Sequence, residues 1–415
     1  MRNLHVAVVL IFLCACSENE MPGAGTPDTG TPDIGTPDTG AVPDSGSGPS
    51  CAPDNLAACA YIPDRLRSSL GSTSGPLEIS YADVTGRMRA FGYEVRFPES
   101  ADATTPIVIW SHGGASGKDD PTRVATEFGE IAVAAGYIMI AIAHYPRPFE
   151  TYESLCRNIG QTAEQCRGGA CRSNDDCTGF EGGTCIENQC RYFKPLNWDR
   201  PNDFAALMTE ITGVDSPLAS LGDTSRVVYA GHSAGAGSTM MVAGAGRQYG
   251  DETHVLLDER PIAFISASTQ GSEDDGFIAQ SYTGELCRMS DFEPAYCLTR
   301  PHLVLTGAGD DTSGTTAEDR RDAYTQVPEG DKYLLWNTEE AARHTVFEFR
   351  PDSCESYDGP GAVDAARCQV YVRWLESAAI AFLDAYTRDD ASAQAYLASD
   401  NLVTLSEGAA NWQSK

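Results

Sequence analysis

Five short and mostly apolar runs stand out along the chain: "PIVIW" from Pro106, "YIMIAIA" from Tyr137, "RVVYA" from Arg226, "HLVLTG" from His302 and "KYLLWN" from Lys332. Each is bounded by polar or glycine-rich sequence, and none alternates apolar with polar positions. Apolar residues on successive positions suit strands buried on both faces, as in a parallel sheet covered by helices. After "RVVYA" comes "AGAGSTMMVAGAG", small and compatible with a helix, and another helix is expected to begin near Arg200. The pattern predicts an α/β fold, a mostly parallel central sheet flanked by helices.

Two stretches fall outside this pattern. Residues 1–15 carry one early cation, Arg2, and an apolar run from Val6 to Leu13 that is too short to span a bilayer and has the form of a secretory signal. It ends in Leu13-Cys14-Ala15-Cys16, which resembles a bacterial lipobox, with Cys16 as the acylated residue and mature N-terminus. Residues 16–50 have no apolar periodicity and, with a five-residue Thr-Pro-Asp-Thr-Gly-type unit repeated over residues 26–40, form a tether rather than a core. The expected localisation is export, with a lipid anchor in the bacterial cell envelope and the membrane as a partner. Residues 51–415 are long enough for one large α/β domain with insertions.

Charge and cysteine content narrow the class. A formal net charge of −30 without a Lys/Arg cluster excludes a nucleic-acid partner, since a phosphate backbone would be repelled. Of 14 cysteines, setting aside Cys14 and Cys16 leaves an even number, as expected of an exported, oxidised protein. Cys51 with Cys59, Cys156 with Cys166, Cys287 with Cys297, and Cys354 with Cys368 could each close a local loop. Cys171, Cys177, Cys185 and Cys190 lie among Gly, Asn and Asp and read as a small disulfide module, within a Cys-rich insertion of about residues 156–190. Zinc would prefer C-x-x-C pairs or nearby histidines, and the Asp-rich "SNDDC" lacks the ligand spacing of a calcium loop, so no metal is expected.

The chemistry gathers around "VVYAGHSAGAG", where Gly231-His232-Ser233-Ala234-Gly235 reads G-x-S-x-G between a strand and a helix. At such a turn only small neighbours are tolerated, and Ser233 would project from the sheet edge as a nucleophile. A serine hydroxyl needs a base, and the base needs a carboxylate to orient it. His344, in a loop after "KYLLWNT", is the expected base; His254 and His302 read as structural or surface residues. "HLVLTGAGDD" offers Asp310 and Asp311 at a strand end, with Asp310 preferred from its spacing after Gly307. The loop "SHGG" after "PIVIW" would supply one oxyanion donor, Gly114 or its neighbour Ala115, and Ala234 the other. His112 then reads as a structural loop residue.

Beyond the Ser-Asp-His order, "RPNDF" (Arg200 to Phe204), "DTSRVVYAGHSAG" and the tail "WLESAAIAFLDAYTRDDASAQAYLAS" resemble the α/β-hydrolase branch of platelet-activating-factor-acetylhydrolase-like esterases, predicted dienelactone hydrolases and cutinase-like polyester hydrolases. The likeness covers roughly Ser80 to Ser399 and departs at the Cys-rich stretch before Arg200. It implies an α/β-hydrolase fold with a small disulfide-rich insertion, no cofactor, and a small-molecule or polymeric ester as substrate. The expectation is an exported serine hydrolase that cleaves carboxylic esters. A peptidase or amidase on the same fold and a non-catalytic surface-binding protein remain the alternatives.

Overall fold

The structure, a computed structural model, describes residues 50–415 except 63–69, 115–119, 148, 179–183, 193–194, 214–215, 217, 219, 274–276, 284–297, 313 and 351–364. The signal segment, Cys16 and nearly all of the tether therefore lie outside the described residues, as do Ala115, Cys287, Cys297 and Cys354. Among the described residues no helix is long and apolar enough to cross a membrane.

Nine strands form one sheet: β1 (Leu70–Ala82), β2 (Met88–Pro98), β3 (Pro106–Ser111), β4 (Ile138–Ala143), β5 (Asp223–His232), β6 (Ala263–Ala267), β7 (His302–Gly307), β8 (Lys332–Asn337) and β9 (Ala410–Ser414). Their order is β1-β2-β4-β3-β5-β6-β7-β8-β9. From β4 to β8 all neighbours run parallel, and antiparallel pairs occur only at the two sides, β1 with β2, β2 with β4, and β8 with β9. The five apolar runs are the five strands β3, β4, β5, β7 and β8.

The runs are continuous because both faces are buried, and successive residues divide between two cores. In β3, Val108 and Trp110 join one core with Phe128 and Val133 of α1 (Thr126–Ala134), while Ile107 and Ile109 join the other. That second face is covered by α3 (Pro195–Ile211) and α4 (Ala234–Ala243) through Phe204, Leu207, Met240 and Met241. The long α5 (Ala365–Thr387) lies on the first face with α1, contributing Trp374 and Phe382. A residue such as Ile109, fully enclosed, contributes about 1.5–3 kcal/mol over leaving it exposed.

A shorter helix, α2 (Phe149–Asn158), carries the disulfide-rich insertion. Disulfides join Cys51 to Cys59 and Cys156 to Cys166, closing two of the expected loops, and Cys368 is also oxidised. Within the insertion the pairs interleave, Cys171 with Cys185 and Cys177 with Cys190. Its own buried cluster consists of Cys171, Cys177 and Cys190 with Cys185 and Tyr192 packed against them. With so little apolar area, the cross-links supply the stability, about 3 kcal/mol for a loop of this length on the chain-entropy account. Cys171, Cys177 and Cys190 stand close enough together to suggest a metal site, but their sulfurs are bonded to other sulfurs and are not thiolate ligands. Arg191 ties the module to its surroundings, donating from Nη1 to the Cys166 carbonyl at 3.0 Å and lying over the Tyr152 ring.

Candidate active site

At the end of β5 the chain must reverse from strand to helix within one residue, and Ser233 does this at φ 54° and ψ −120° as the cap of α4. A non-glycine residue there carries strain on the order of 1–3 kcal/mol. The turn is held from both sides, Ser233 N–H donating to the Ala267 carbonyl of β6 and its own carbonyl accepting from Gly237 N–H, both at 2.9 Å. Gly235 is needed for close approach: a Cβ at that position would stand 2.0 Å from the Ser111 carbonyl oxygen. Among the described residues the Ala234 N–H has no hydrogen-bond partner, and it sits at the positive end of α4.

Asp310 follows β7 in a tight turn and is fully buried. Its Oδ1 accepts from His344 Nδ1 at 2.8 Å and lies 3.1 Å from Arg320 Nε, while Oδ2 accepts from Ser268 Oγ at 2.5 Å and Thr306 Oγ1 at 2.8 Å. Burial alone would raise its pKa. The hydrogen bond from His344, the Arg320 charge and the Ser268 hydroxyl outweigh burial and hold the carboxyl below its usual range, so it is ionised. Because the carboxylate accepts a hydrogen bond from Nδ1–H, the neutral His344 ring carries its lone pair on Nε2.

The His344 loop is pinned beside the Ser233 turn. His232 donates from Nε2 to the His344 carbonyl at 2.9 Å, and the two ring centroids are 4.6 Å apart. Burial, with the neighbouring His344 adding to it, lowers the His232 pKa to about 3, so this ring is neutral. Asp311 goes elsewhere: its Oδ1 accepts from Ala317 N–H at the start of the short helix Ala317–Arg320. The structure thus brings together Asp310 and His344 and gives Asp311 to a helix start.

The "SHGG" loop leaves β3 and passes against the same turn. A Cβ on Gly113 would meet His232 Nδ1 at 2.6 Å and Ser233 Cβ at 3.0 Å, so glycine is required for this approach. The carbonyls of His112, Gly113 and Gly114 are engaged by side chains. Arg200 donates to those of His112 and Gly114, and His112 Nδ1 donates to that of Gly113 at 2.8 Å. The N–H groups of Gly113 and Gly114 have no partner among the described residues. Gly114 and Ala234 were expected from sequence as paired donors; Gly113, which lies nearer the turn, was not.

A second Ser-His-Asp chain lies behind the loop and went unforeseen. Ser111 Oγ is 2.8 Å from His144 Nε2, and His144 Nδ1 is 2.9 Å from Asp203 Oδ2. Arg89 grips both Asp203 oxygens at 2.7 and 2.6 Å, and Tyr81 adds a third donor at 2.9 Å. Ser111 and Asp203 are completely enclosed and His144 is 2% exposed, so no substrate reaches this serine; its role is structural. Of the aromatics near the strand ends, Trp110 packs against Phe128 and Phe349 in the core, Tyr145 is half-buried near Gly92, and the Phe149 side chain lies outside the described residues.

Of the described histidines, His254 and His302 remain, and both are held by packing. His254 packs against Trp198 and Tyr249. His302, at the entrance of β7, is buried with Nε2 2.8 Å from Ser266 Oγ; burial, then the Lys332 and Arg300 charges, lower its pKa to about 3. A histidine depressed from about 6.5 binds fewer protons folded than unfolded between those values, so its stabilising contribution is complete above about pH 6.5 and is lost as pH falls toward 3. Replacing His302 by glutamine, which can keep the Ser266 hydrogen bond, is expected to flatten the fall in unfolding free energy between pH 6.5 and 4 by up to about 1.4 kcal/mol per pH unit. Chemical denaturation across that range reads the slope, and parallel wild-type and variant curves would refute it.

No protein-family model matches the chain, and no curated protein matches it. Among solved structures, a ferulic acid esterase from Streptomyces cinnamoneus is similar with a TM-score of 0.45 and 18% identity, over 78% of this chain and 92% of that one.

Proposed function

We propose that this protein is a serine hydrolase that cleaves carboxylic esters through an acyl-enzyme on Ser233. The observation that carries the reading is the ionised, buried Asp310 bonded to His344 Nδ1, with the His344 loop tied through His232 to a strained Ser233 turn. Nε2 of His344 accepts the Ser233 hydroxyl proton as Oγ attacks the ester carbonyl carbon. The carbonyl oxygen becomes an oxyanion facing unpaired N–H groups, that of Ala234 at the start of α4 and those of Gly113 and Gly114 in the loop after β3. The imidazolium, stabilised by Asp310, then gives its proton to the departing alkoxide, and an alcohol leaves. Water, deprotonated by the same Nε2, attacks the acyl carbon; the carboxylic acid departs and Ser233 recovers its proton. No step calls for a metal or organic cofactor.

The same proposal includes export and anchoring through acyl chains on Cys16, supported by the short apolar run before "LCAC" and the repeated Thr-Pro-Asp tether. One preparation tests both parts. The exported protein is expected to yield a diacylated or triacylated Cys16 peptide by mass spectrometry, to hydrolyse a panel of p-nitrophenyl esters of graded acyl length, and to incorporate a fluorophosphonate at Ser233. An unmodified N-terminus beyond Ser17 would remove the anchor. Release of amine from matched anilides at rates equal to the esters would turn the reading toward an amidase, and no turnover with no labelling would end it.

A further inference from the structure

Arg200 lies in the interior of α3 with no exposed surface. Burial lowers its pKa to about 10, which leaves it charged at neutral pH. A buried cation is normally matched by a carboxylate. The two acids nearest it on the helix are already committed: Asp199 to Arg147 and Arg89, and Asp203 to Arg89 and His144. The guanidinium is directed instead at neutral oxygens. Nη1 donates to the His112 carbonyl and, at 3.3 Å, to Ser111 Oγ; Nη2 donates to the Gly114 carbonyl.

This choice of acceptors bears on the N–H groups of the same loop. In a planar trans peptide the C=O and N–H point in opposite directions, so fixing the His112 carbonyl toward Arg200 turns the Gly113 N–H away from it. The loop so held is the one that touches the Ser233 turn at Gly113. A positive charge on a carbonyl oxygen also withdraws density from the amide nitrogen and strengthens its N–H as a donor, an effect that grows where water is excluded. Its benefit is greatest when negative charge has built up on the bound carbonyl, which is the tetrahedral stage and not the bound ester. The Ser-His-Asp chain behind the loop completes the support. His144 donates from Nδ1–H to Asp203, Ser111 donates its hydroxyl hydrogen to Nε2, and the Ser111 lone pairs are left to accept from Arg200.

We propose that Arg200 is a positioning residue for the oxyanion site, orienting and polarising the His112–Gly113 peptide and anchoring the loop at the Gly114 carbonyl, and that Ser111, His144 and Asp203 are the relay that holds it. The inference rests on the ester-hydrolase reading and adds to it a fixed cation that acts only through backbone amides. Lysine at this position would keep the charge but cannot span two diverging carbonyls. In the full-length protein, Arg200→Lys is expected to lower kcat for p-nitrophenyl butyrate by about 100-fold, the scale of one lost oxyanion donor, with KM changed less than about threefold. Affinity for a trifluoromethyl ketone carrying the same acyl chain, which forms a charged tetrahedral adduct on the serine, is expected to fall with kcat/KM. Ser111→Ala, a smaller change that leaves Arg200 in place, is expected to show the same pattern at about tenfold.

A role confined to packing would instead lower Tm while the folded fraction kept wild-type kcat and wild-type affinity for the ketone, and that result overturns the inference. Should Arg200→Lys not fold, Ser111→Ala decides: reduced kcat at unchanged KM supports the relay, and unchanged kcat refutes it. A wild-type protein that neither hydrolyses the ester nor reacts with a fluorophosphonate would mark the failure of the ester-hydrolase reading itself, and the inference would fall with it. Active wild type with an equally active Arg200→Lys overturns the inference alone.

Discussion

Ser233→Ala is expected to reduce kcat for any ester the protein turns over by about a million-fold, and His344→Ala by a similar factor, because in the proposed mechanism nucleophile and base work as one unit. The double variant should be hardly slower than either single one. Both changes are mild for the fold. Ser233 to alanine removes one oxygen from a turn whose backbone hydrogen bonds to Ala267 and Gly237 remain, and truncation of His344 leaves its carbonyl available to His232. Steady-state kinetics with fluorophosphonate labelling read the outcome. Turnover within tenfold of wild type in either single variant would mean that another group attacks the substrate. The enclosed Ser111 makes a natural control, since it belongs to a fully hydrogen-bonded Ser-His-Asp chain yet should take no label.

The two adjacent aspartates are expected to separate widely. Asp310→Asn removes the acceptor that keeps the proton on His344 Nδ1, so the ring can present the wrong tautomer, a change that costs about ten-thousandfold in kcat in serine proteases. It also leaves the buried Arg320 beside a neutral group, and breaking one side of a buried ion pair destabilises by about 3–5 kcal/mol. Loss of rate and loss of stability must therefore be measured separately, with kcat taken well below the unfolding transition. Asp311→Asn keeps an oxygen for the Ala317 N–H and should leave kcat within a few-fold. Equal effects of the two substitutions would displace Asp310 from its role.

The sheet and the Ser233 turn could be read from local sequence because each has a local cause. A parallel strand buried on both faces must be apolar at successive positions, as "PIVIW" and "YIMIAIA" are. A strand-to-helix reversal with φ near +54° at Ser233 needs the small residues that flank it. Arg200 could not be read in this way. "RPNDF" is a short polar stretch of a helix, and nothing in its spacing tells that Arg200 is enclosed, since its acceptors His112 and Gly114 lie 88 and 86 residues away. Ser268 was likewise invisible: a serine after "AFISA" became a carboxylate donor because the end of β6 lies beside that of β7. His232 occupies a position that the pentapeptide leaves open, and its bond to the His344 carbonyl crosses 112 residues. Asp199 and Asp203, four residues apart, share one helix face, but that spacing does not say the face is turned inward.

The interleaved bridges of the insertion bear on how the chain matures. Cysteines that are oxidised in the order in which they emerge pair with the next one along, which gives Cys51–Cys59 and Cys156–Cys166 directly. The same rule applied further on would join Cys171 to Cys177 and Cys185 to Cys190, whereas the folded module has Cys171–Cys185 and Cys177–Cys190. If its cysteines are oxidised in that order, the module reaches its native bridges only by thiol exchange through mixed disulfides. The sheet, with no described cross-link between its strands, can assemble on its own schedule.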